Sequence, residues 1–139
     1  PLGTAGSLSL IKDYPKDAFI VCNGDVITDF KYSQLIEFHK FHNADATMAV
    51  KLYEWQNPFG VVITKGFDIT GFEEKPIYES YINAGIYALN PNVLNNLEHG
   101  VRSSMPELFE ILRQKSKKTI AFPMHETWLD VGRPEDLNQ

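Results

Sequence analysis

The sequence has few of the features that mark several common protein classes. Its one cysteine, Cys22, among 139 residues excludes an internal disulfide. No run approaches the ~20 consecutive apolar residues that cross a membrane as a helix, and these residues contain no signal-peptide pattern. A net charge of −5 disfavours non-specific binding to nucleic acid, which needs a basic face. We therefore expect a cytoplasmic protein with neither a membrane nor a nucleic-acid partner.

The hydrophobic pattern indicates one α/β domain. With 43% hydrophobic residues, the chain can fill one core. A continuous apolar run at 18–22 predicts a buried strand, residues 32–42 have helical spacing, and residues 47–52 return to strand composition. Strand-like runs without helices between them follow at residues 60–64, 69–74 and 81–89. We predict a mixed, mainly parallel sheet in which antiparallel pairs interrupt a β-α-β scheme.

Capping residues predict where helices begin. Ser104 and Glu107 form an S-x-x-E capping box, and apolar residues at helical spacing follow it. Asn90-Pro91 predicts the start of another helix, since proline is favoured in the first turn. Thr4 predicts the cap of a short helix over residues 4–13.

Two aspartates are the strongest functional candidates. Asp25 and Asp130 each follow a short apolar run that predicts a strand. Strand ends in an open α/β sheet face the ligand crevice, and paired carboxylates there suit Mg²⁺ together with substrate phosphates. The alternative for Asp25 is that Asn23-Gly24-Asp25 only forms a turn, and for Asp130 that it caps the last helix.

Three further segments contain polar residues or glycines within predicted strands. Glu74 and Lys75 are suited to bind a sugar hydroxyl and a phosphate oxygen, or they are charges on an exposed strand end that deter edge pairing. Asn83 precedes Gly85, and a glycine inside a strand marks either a close ligand or a bulge. Gly60 opens a strand after a turn in the same way.

The remaining metal-binding and nucleophilic side chains favour structural roles. His39 and His42 lie three residues apart on a predicted helix, but no Cys or carboxylate cluster accompanies them at ligand spacing. We predict them to be partly buried or surface histidines. Cys22 lies within an apolar run and is predicted to be a small buried residue rather than an activated thiol.

Six segments, taken in order, resemble the sugar-phosphate nucleotidyltransferase family, whose typical members are mannose-1-phosphate guanylyltransferase and glucose-1-phosphate thymidylyltransferase. They are Pro1-Leu2-Gly3-Thr4-Ala5-Gly6, Asn23-Gly24-Asp25, Phe59-Gly60-Val61-Val62, Phe72-Glu73-Glu74-Lys75-Pro76, Asn83-Ala84-Gly85-Ile86-Tyr87 and Trp128-Leu129-Asp130-Val131-Gly132. The resemblance implies a three-layer α/β/α, Rossmann-like nucleotidyltransferase fold. Residues 1–139 would form part of its catalytic domain.

The resemblance also implies a reaction and a set of site residues. A sugar 1-phosphate attacks the α-phosphate of an NTP, which gives a nucleotide sugar and pyrophosphate. Asp25 and Asp130 would hold Mg²⁺, and together with Lys75 they would be the catalytic residues. Gly3 would approach the nucleobase through its backbone. The substrate-binding residues implied are Gly3, Gly24, Gly60, Glu74, Lys75 and Asn83. The local sequence is most similar to guanylyltransferases, so the implied NTP is GTP, and a homo-oligomer is compatible with this reading.

The sequence departs from the family pattern at two places. Members open with a G-G-x-G-T-R-L loop that holds the NTP phosphates, and nothing resembling it occurs in these 139 residues. We therefore expect a domain truncated at its N-terminus and, for this chain alone, little or no activity. Arg133 stands where many relatives have a small residue, and it would contact either an anion near the metal or Glu135.

Three alternative functions remain for the same residues. The first is a non-catalytic domain that binds sugar nucleotides and regulates a partner, although Asp25, Asp130 and Lys75 together favour catalysis. The second is a receiver-like phosphoacceptor domain, which leaves residues 128–133 unexplained. The third is a glycosyltransferase of the A type, whose D-x-D motif has a different spacing from Asp25 and Asp29.

Overall fold

A computed structural model describes residues 1–125 and 128–130, with residues 26–28 and 128–130 described through their backbone only. The helices are α1 (Gly3–Gly6), α2 (Tyr32–Phe41) and α3 (Met105–Gln114), with 3₁₀ helices at Ser7–Leu10 and Pro91–Asn96. The strands are β1 (Phe19–Cys22), β2 (Val26–Thr28), β3 (Ala46–Gln56), β4 (Gly60–Lys65), β5 (Asp68–Glu74), β6 (Ile77–Leu89), β7 (Thr119–Pro123) and β8 (Trp128–Asp130). Within these residues, no helix has the length and apolar character needed to span a bilayer.

The central sheet has the strand order β1-β6-β3-β7. Strand β7 runs parallel to β3, whereas β6 lies antiparallel between β1 and β3. The α/β class and the mixed sheet are thus confirmed, but the expected mainly parallel pairing is corrected, because two of these three pairings are antiparallel. The physical reason is that β6 returns alongside β3 through strands and turns, without the long helical crossover that a parallel neighbour requires.

Both faces of the central sheet are covered. Tyr87 and Leu89 of β6 belong to a core that includes residues of α1 and α3, whereas Ile86 and Ala88 belong to a second core that includes α2. Successive residues of a strand point to opposite faces, so this alternation places helices on both sides of the sheet. The result is the three-layer α/β/α arrangement that the resemblance implies.

Helix α3 begins at its predicted capping box, and a second cap comes from the far end of the chain. The Ser104 hydroxyl accepts a hydrogen bond from the backbone N–H of Glu107 at 3.2 Å. The Thr4 hydroxyl accepts one from the backbone N–H of Met105 at 2.8 Å. The short helix predicted over residues 4–13 is present in part, as the α-helical turn Gly3–Gly6 followed by the 3₁₀ helix Ser7–Leu10. The predicted role of Thr4 is wrong, because Thr4 caps α3 instead of its own helix. The helix predicted after Asn90-Pro91 is a 3₁₀ helix.

The outer halves of β3 and β6 extend from the core and carry the β4–β5 hairpin. Their antiparallel pairing runs from Leu52 and Tyr81 to Gln56 and Ile77. We call residues 52–81 the arm. Large apolar side chains on the arm are exposed to solvent, including Trp55, which is 50% exposed and stacks on Tyr78. The arm therefore holds its shape mainly through strand pairing rather than through a buried core.

Candidate functional site

The turn after β1 connects the central sheet to the β2–β8 pair. Asn23, Gly24 and Asp25 form this turn, and the backbone N–H of Asn23 donates to the carbonyl of Gly85 at 2.8 Å. Gly24 and Asp25 are exposed. A Cβ at Gly24 would have nothing within 4 Å, so there is open space beside the turn. The sequence-predicted turn is present, and it presents Asp25 at the end of a strand.

A cavity of about 390 Å³ lies beside this turn. It is lined by Gly3, Thr4, Ser7, Leu8, Val21, Cys22, Asn23, Gly24 and Asp25. Its volume falls within the range of small-molecule sites, roughly 300–1,000 Å³. Gly3, Gly24 and Asp25, three of the predicted site residues, thus lie around one cavity although Gly3 is remote from the other two in the sequence.

Cys22 lines this cavity and is exposed, which corrects its predicted burial. The tyrosine hydroxyl of Tyr32 lies 3.8 Å from the Cys22 sulfur. The hydrogen bond to Cys22 is the largest cause of a raised pKa for the Tyr32 hydroxyl. The apolar run predicted a strand covered on both faces, but the first three residues of β1 are only partly buried and its last residue, Cys22, lines the cavity.

The backbones of the two aspartates, which are far apart in the sequence, lie close together in space. Strand β2 pairs antiparallel with β8, and Val26 is the Cα partner of Asp130. Because Asp25 directly precedes Val26, the Cα atoms of Asp25 and Asp130 lie within about 9 Å of each other. This backbone arrangement fits two carboxylates around one cation. The Asp130 side chain and Arg133 lie outside the described residues, so Asp130 as a ligand stays a prediction.

The Asp25 carboxylate beside the cavity is a donor that fits magnesium. In the part of the chain that is described, no group of three or more His, Cys, Asp or Glu residues comes together. Mg²⁺ is usually held by one or two carboxylates plus substrate phosphates and water, so it does not need a larger cluster. Asp25 beside an open cavity matches that pattern.

The glycines of α1 have a packing role. Gly3 has a φ of +81°, and a Cβ there would lie 2.5 Å from the carbonyl oxygen of Ser103. A Cβ at Gly6 would lie 2.7 Å from the carbonyl oxygen of Val101. The backbone N–H groups of Ala5 and Gly6 both donate to the Ser103 carbonyl at 2.9 Å. Packing thus requires glycine at position 3, and its contact with a nucleobase stays a prediction.

Strand β6 contains a bulge opposite the Asn23 turn. Its pairing with β3 shifts between Met48 and Val50, and Gly85 adopts a φ of 78°. The Asn83 side-chain oxygen accepts a hydrogen bond from the Gly85 N–H at 2.8 Å, and its amide nitrogen donates to the Tyr87 hydroxyl at 2.9 Å. Of the two interpretations left open for Gly85, the structure contains the bulge. Bulges are common beside active sites, where they re-aim a side chain. The bulge is compatible with a binding role for Asn83, which stays a prediction.

The base of the β4–β5 hairpin brings three predicted residues together. Gly60 and Glu74 are Cα partners, and a Cβ at Gly60 would lie 3.3 Å from a carboxylate oxygen of Glu74. Lys75 follows directly, with its N–H donating to the Phe59 carbonyl at 3.2 Å and its own carbonyl accepting from the Gln56 side chain at 3.1 Å.

Lys75 has a strained backbone. Its φ is 45° although it is not glycine, and it precedes Pro76, which favours extended conformations in the preceding residue. Its backbone N–H donates to Phe59 and its carbonyl accepts from Gln56, and these two hydrogen bonds hold it in this conformation. Backbone strain that is maintained in this way clusters at functional sites. The geometry therefore supports Lys75 as a site residue without showing what it binds.

The predicted site residues other than Asp130 form two groups. The cavity group consists of Gly3, Gly24, Asp25 and Asn83, and the arm group consists of Gly60, Glu74 and Lys75. Asn83 belongs with the cavity group because the bulge connects it to the Asn23 turn. Up to about 26 Å of extended strand separates Lys75 from Asn83. A pocket shared by Asn83 and the arm group stays a prediction.

Two buried side chains were missed or misjudged by sequence reasoning. Tyr87 joins the site through its hydroxyl, and its position four residues after Asn83 was the available signal, because such residues lie on one side of a strand. His39 is buried rather than partly buried or on the surface. Its two ring nitrogens hydrogen bond to Thr47 and Asn90, each at 2.7 Å.

Comparisons with known proteins point in one direction. A family model described as nucleotidyl transferase matches residues 1–139. The chain is 39% identical over 146 residues to a protein of Oryza sativa subsp. japonica named "Probable mannose-1-phosphate guanylyltransferase 2", covering 98% of this chain and 40% of that relative. It is 37% identical over 143 residues to mannose-1-phosphate guanylyltransferase catalytic subunit beta of Dictyostelium discoideum, covering 99% and 40%.

A solved structure with the same fold was crystallised with a nucleotide analogue. HddC from Yersinia pseudotuberculosis complexed with GMP-PN matches with a TM-score of 0.64 and 25% identity, over 99% of this chain and 60% of that one. The chain spans about 40% of the length of the curated relatives that it matches.

Proposed function

The chain belongs to the nucleotidyl transferase family, and on that premise we propose that the protein carrying it transfers a nucleoside monophosphate from an NTP to a sugar 1-phosphate. The products are a nucleotide sugar and pyrophosphate. The observation that carries the proposal is that Asp25 lines a cavity while the backbone of Asp130 lies on the adjoining strand.

The proposed substrates are GTP and mannose 1-phosphate. The two curated relatives described above are named mannose-1-phosphate guanylyltransferases at 37% and 39% identity, and the HddC structure is a complex with GMP-PN. The guanylyltransferase-like local sequence supports the same assignment. These names belong to proteins of which this chain covers only part, so both substrates are proposals for the protein that carries it.

The proposed chemistry needs positioning and charge neutralisation more than a base. A phosphate nucleophile is already ionised at neutral pH, and it must approach a second, highly anionic phosphate group. Catalysis of such transfers comes mainly from alignment and from cations that neutralise the developing charge. Asp25 and Asp130 would hold Mg²⁺, which supplies part of that positive charge when it is bound. The Lys75 ammonium group supplies a further cation.

The arm and the bulge would bind the sugar 1-phosphate. Glu74 is suited to accept hydrogen bonds from sugar hydroxyls, while Lys75 pairs with a phosphate oxygen. Asn83 uses one amide proton for Tyr87 and one lone pair for Gly85. An asparagine side chain has two donor protons and two acceptor lone pairs, so Asn83 keeps one donor and one acceptor site for a ligand.

Product analysis of the protein that carries these residues tests the proposal. The purified protein is incubated with Mg²⁺, GTP and mannose 1-phosphate, and pyrophosphate and the nucleotide sugar are quantified. We expect equimolar formation of both products, slower turnover with other NTPs or with glucose 1-phosphate, and loss of turnover on chelation of the metal.

Two results would contradict the proposal. Metal-dependent binding of a nucleotide sugar without turnover would favour the regulatory alternative. Labelling of Asp25 by a small phosphodonor would favour a phosphoacceptor domain.

A further inference from the structure

The Tyr87 hydroxyl has no role in the proposed chemistry, yet it contacts two parts of the cavity group, the bulge of β6 and the Asn23 turn. The side chain is 1% exposed, and its ring packs against Phe109 with the ring centroids 5.9 Å apart. The hydroxyl accepts the hydrogen bond from the Asn83 amide at 2.9 Å. Because Tyr87 is buried, any influence on a ligand has to pass through its neighbours.

A second neighbour is on the Asn23 turn. Burial is the largest influence on the pKa of Tyr87 and raises it, while side-chain hydrogen bonds with Asn83 and then with Asn23 partly oppose the rise. The phenol is therefore neutral across the physiological range. Asn23 is also fixed through its backbone N–H, which donates to the Gly85 carbonyl. The hydroxyl thus lies between an asparagine of the bulge and an asparagine of the turn that carries Asp25.

These contacts restrict the orientation of Asn83. Its oxygen accepts from the Gly85 N–H and its nitrogen donates to Tyr87, so rotation of the amide would break both bonds. The same residue is otherwise exposed, and an exposed amide without such contacts samples several orientations. Removal of the Tyr87 hydroxyl would remove one of the two hydrogen bonds that orient the Asn83 amide. It would also remove one contact of the Asn23 turn.

We propose that Tyr87 is a positioning residue that holds the Asn83 amide and the Asn23-Gly24-Asp25 turn in one arrangement. Tyr87 touches no substrate itself. The kinetic part of this inference rests on the proposed function, and it identifies the sugar 1-phosphate as the substrate whose binding depends on the hydroxyl. The alternative is that Tyr87 only fills the core, in which case its ring matters and its hydroxyl does not.

The Tyr87→Phe variant separates these two roles because it keeps the ring. The KM for the sugar 1-phosphate is measured at saturating NTP, and the KM for NTP at saturating sugar 1-phosphate. We expect the first to rise about threefold to tenfold, the effect of one neutral hydrogen bond. We expect the second to rise by a smaller factor, because the Asn23 turn keeps its backbone hydrogen bond to Gly85. Equal changes in both KM values, or no change in either, would overturn the inference.

Thr47→Val is the matched control. The Thr47 hydroxyl is equally buried and hydrogen bonds to His39 of α2, which is outside both groups. Valine has nearly the same shape, so this variant also loses one buried hydroxyl and a similar amount of stability. We expect it to leave both KM values unchanged. If Thr47→Val produced the same split between the two KM values, a loss of stability would explain the split and the inference would fail.

Two further measurements separate failure of this inference from failure of the proposed function. Asn83→Ala should itself raise the KM for the sugar 1-phosphate, and adding Tyr87→Phe to it should raise it no further, because the two residues act as one unit. Additive effects would overturn the inference. An unchanged KM in Asn83→Ala would instead remove Asn83 from the proposed site, and with it the kinetic role of Tyr87.

Spectra of the ligand-free protein labelled with ¹⁵N-asparagine test the coupling without any turnover. The side-chain amide signals of Asn23 and Asn83 should shift in Tyr87→Phe and stay in place in Thr47→Val. Unmoved signals would overturn the inference even in an active enzyme. If the wild-type protein showed no transfer, the proposed function would fail, while these signals would still decide whether Tyr87 holds the two asparagines.

Discussion

The cavity group and the arm group are held in different ways. On the cavity side, the Asn23 turn and Asn83 are anchored to Gly85 and to the buried Tyr87. On the arm side, Gly60, Glu74 and Lys75 depend on the pairing of two exposed strands. A two-stranded hairpin is marginally stable by itself, and regions with few buried contacts open at low free-energy cost. We therefore infer that the cavity side keeps its geometry without ligands, whereas the arm adjusts when the sugar 1-phosphate binds.

Asp25→Asn is expected to have the largest effect on the cavity side. The carboxylate is exposed, so its loss should leave the melting temperature unchanged while kcat falls on the order of a hundred- to a thousandfold. The measurement is kcat as a function of Mg²⁺ concentration, with higher concentrations recovering part of the loss. Asp29→Asn, also exposed and four residues away, is the control and should retain activity. An equal loss in both variants would remove the special role of Asp25.

Gly3→Ala should separate packing from binding within the cavity group. A Cβ at Gly3 would lie 2.5 Å from the Ser103 carbonyl at a φ of +81°. We expect a loss of about 3 kcal/mol in the free energy of unfolding, since left-handed strain adds to a steric clash. Gly24→Ala is the comparison, because it meets open space and has no positive φ. The Gly24→Ala variant should be as stable as the wild type but bind substrate more weakly, because its methyl group enters the space beside the turn. Denaturant unfolding checks both, and equal stabilities would contradict the packing role of Gly3.

Two substitutions of Lys75 test whether its strained backbone lowers the stability of the arm while its charge contributes to activity. Lys75→Met keeps the strained backbone and loses the charge, so kcat/KM should fall about a hundredfold with little change in melting temperature. Lys75→Gly loses the same charge but tolerates a φ of 45°, so we expect a similar loss of activity with a stability gain of up to about 1 kcal/mol. Thermal unfolding and kinetics of both variants are compared. If Lys75→Gly were less stable than Lys75→Met, the backbone conformation of Lys75 would not lower the free energy of unfolding.

Gly60→Ala is expected to have the smallest effect. The new methyl group would lie 3.3 Å from a carboxylate oxygen of Glu74, which has to move by a few tenths of an ångström. We expect the KM for the sugar 1-phosphate to rise about threefold to fivefold, comparable with weakening one hydrogen bond. Gly71→Ala in the same hairpin is the control, since its methyl group would make an ordinary 3.6 Å contact with Ile63. Equal KM values in the two variants would remove Glu74 from the binding site.

The sequence predicted those features that depend on neighbouring residues. The start of α3 at its capping box, the turn at Asn23-Gly24-Asp25 and the β-α-β order are all present. The family resemblance drawn from six short segments is confirmed by the match over residues 1–139. The roles assigned to the site residues through that resemblance stay predictions.

Features that depend on distant residues were missed. Hydrophobic periodicity reports which face of an element is buried, but it does not report which element covers that face. The insertion of β6 between β1 and β3 was therefore not foreseen, and neither was the exposure of Cys22 at the end of an edge strand. Tyr87 was missed for a related reason. Residues four apart lie on one side of a regular strand but are about 13 Å apart, and it is the bulge in β6 that brings Asn83 and Tyr87 within hydrogen-bonding distance.

During translation, Met105 emerges 101 residues after the threonine that caps its helix. Until then, Thr4 and the glycines of α1 have no backbone of residues 101–103 to pack against. Strand β7 likewise joins β3 late in synthesis. Such non-local pairing slows folding and leaves apolar strands uncovered on the nascent chain, which exposes them to aggregation. We therefore expect the yield of folded protein to depend on chaperones and on a low expression temperature. We expect these conditions to change the yield more than differences in the stability of the folded protein do.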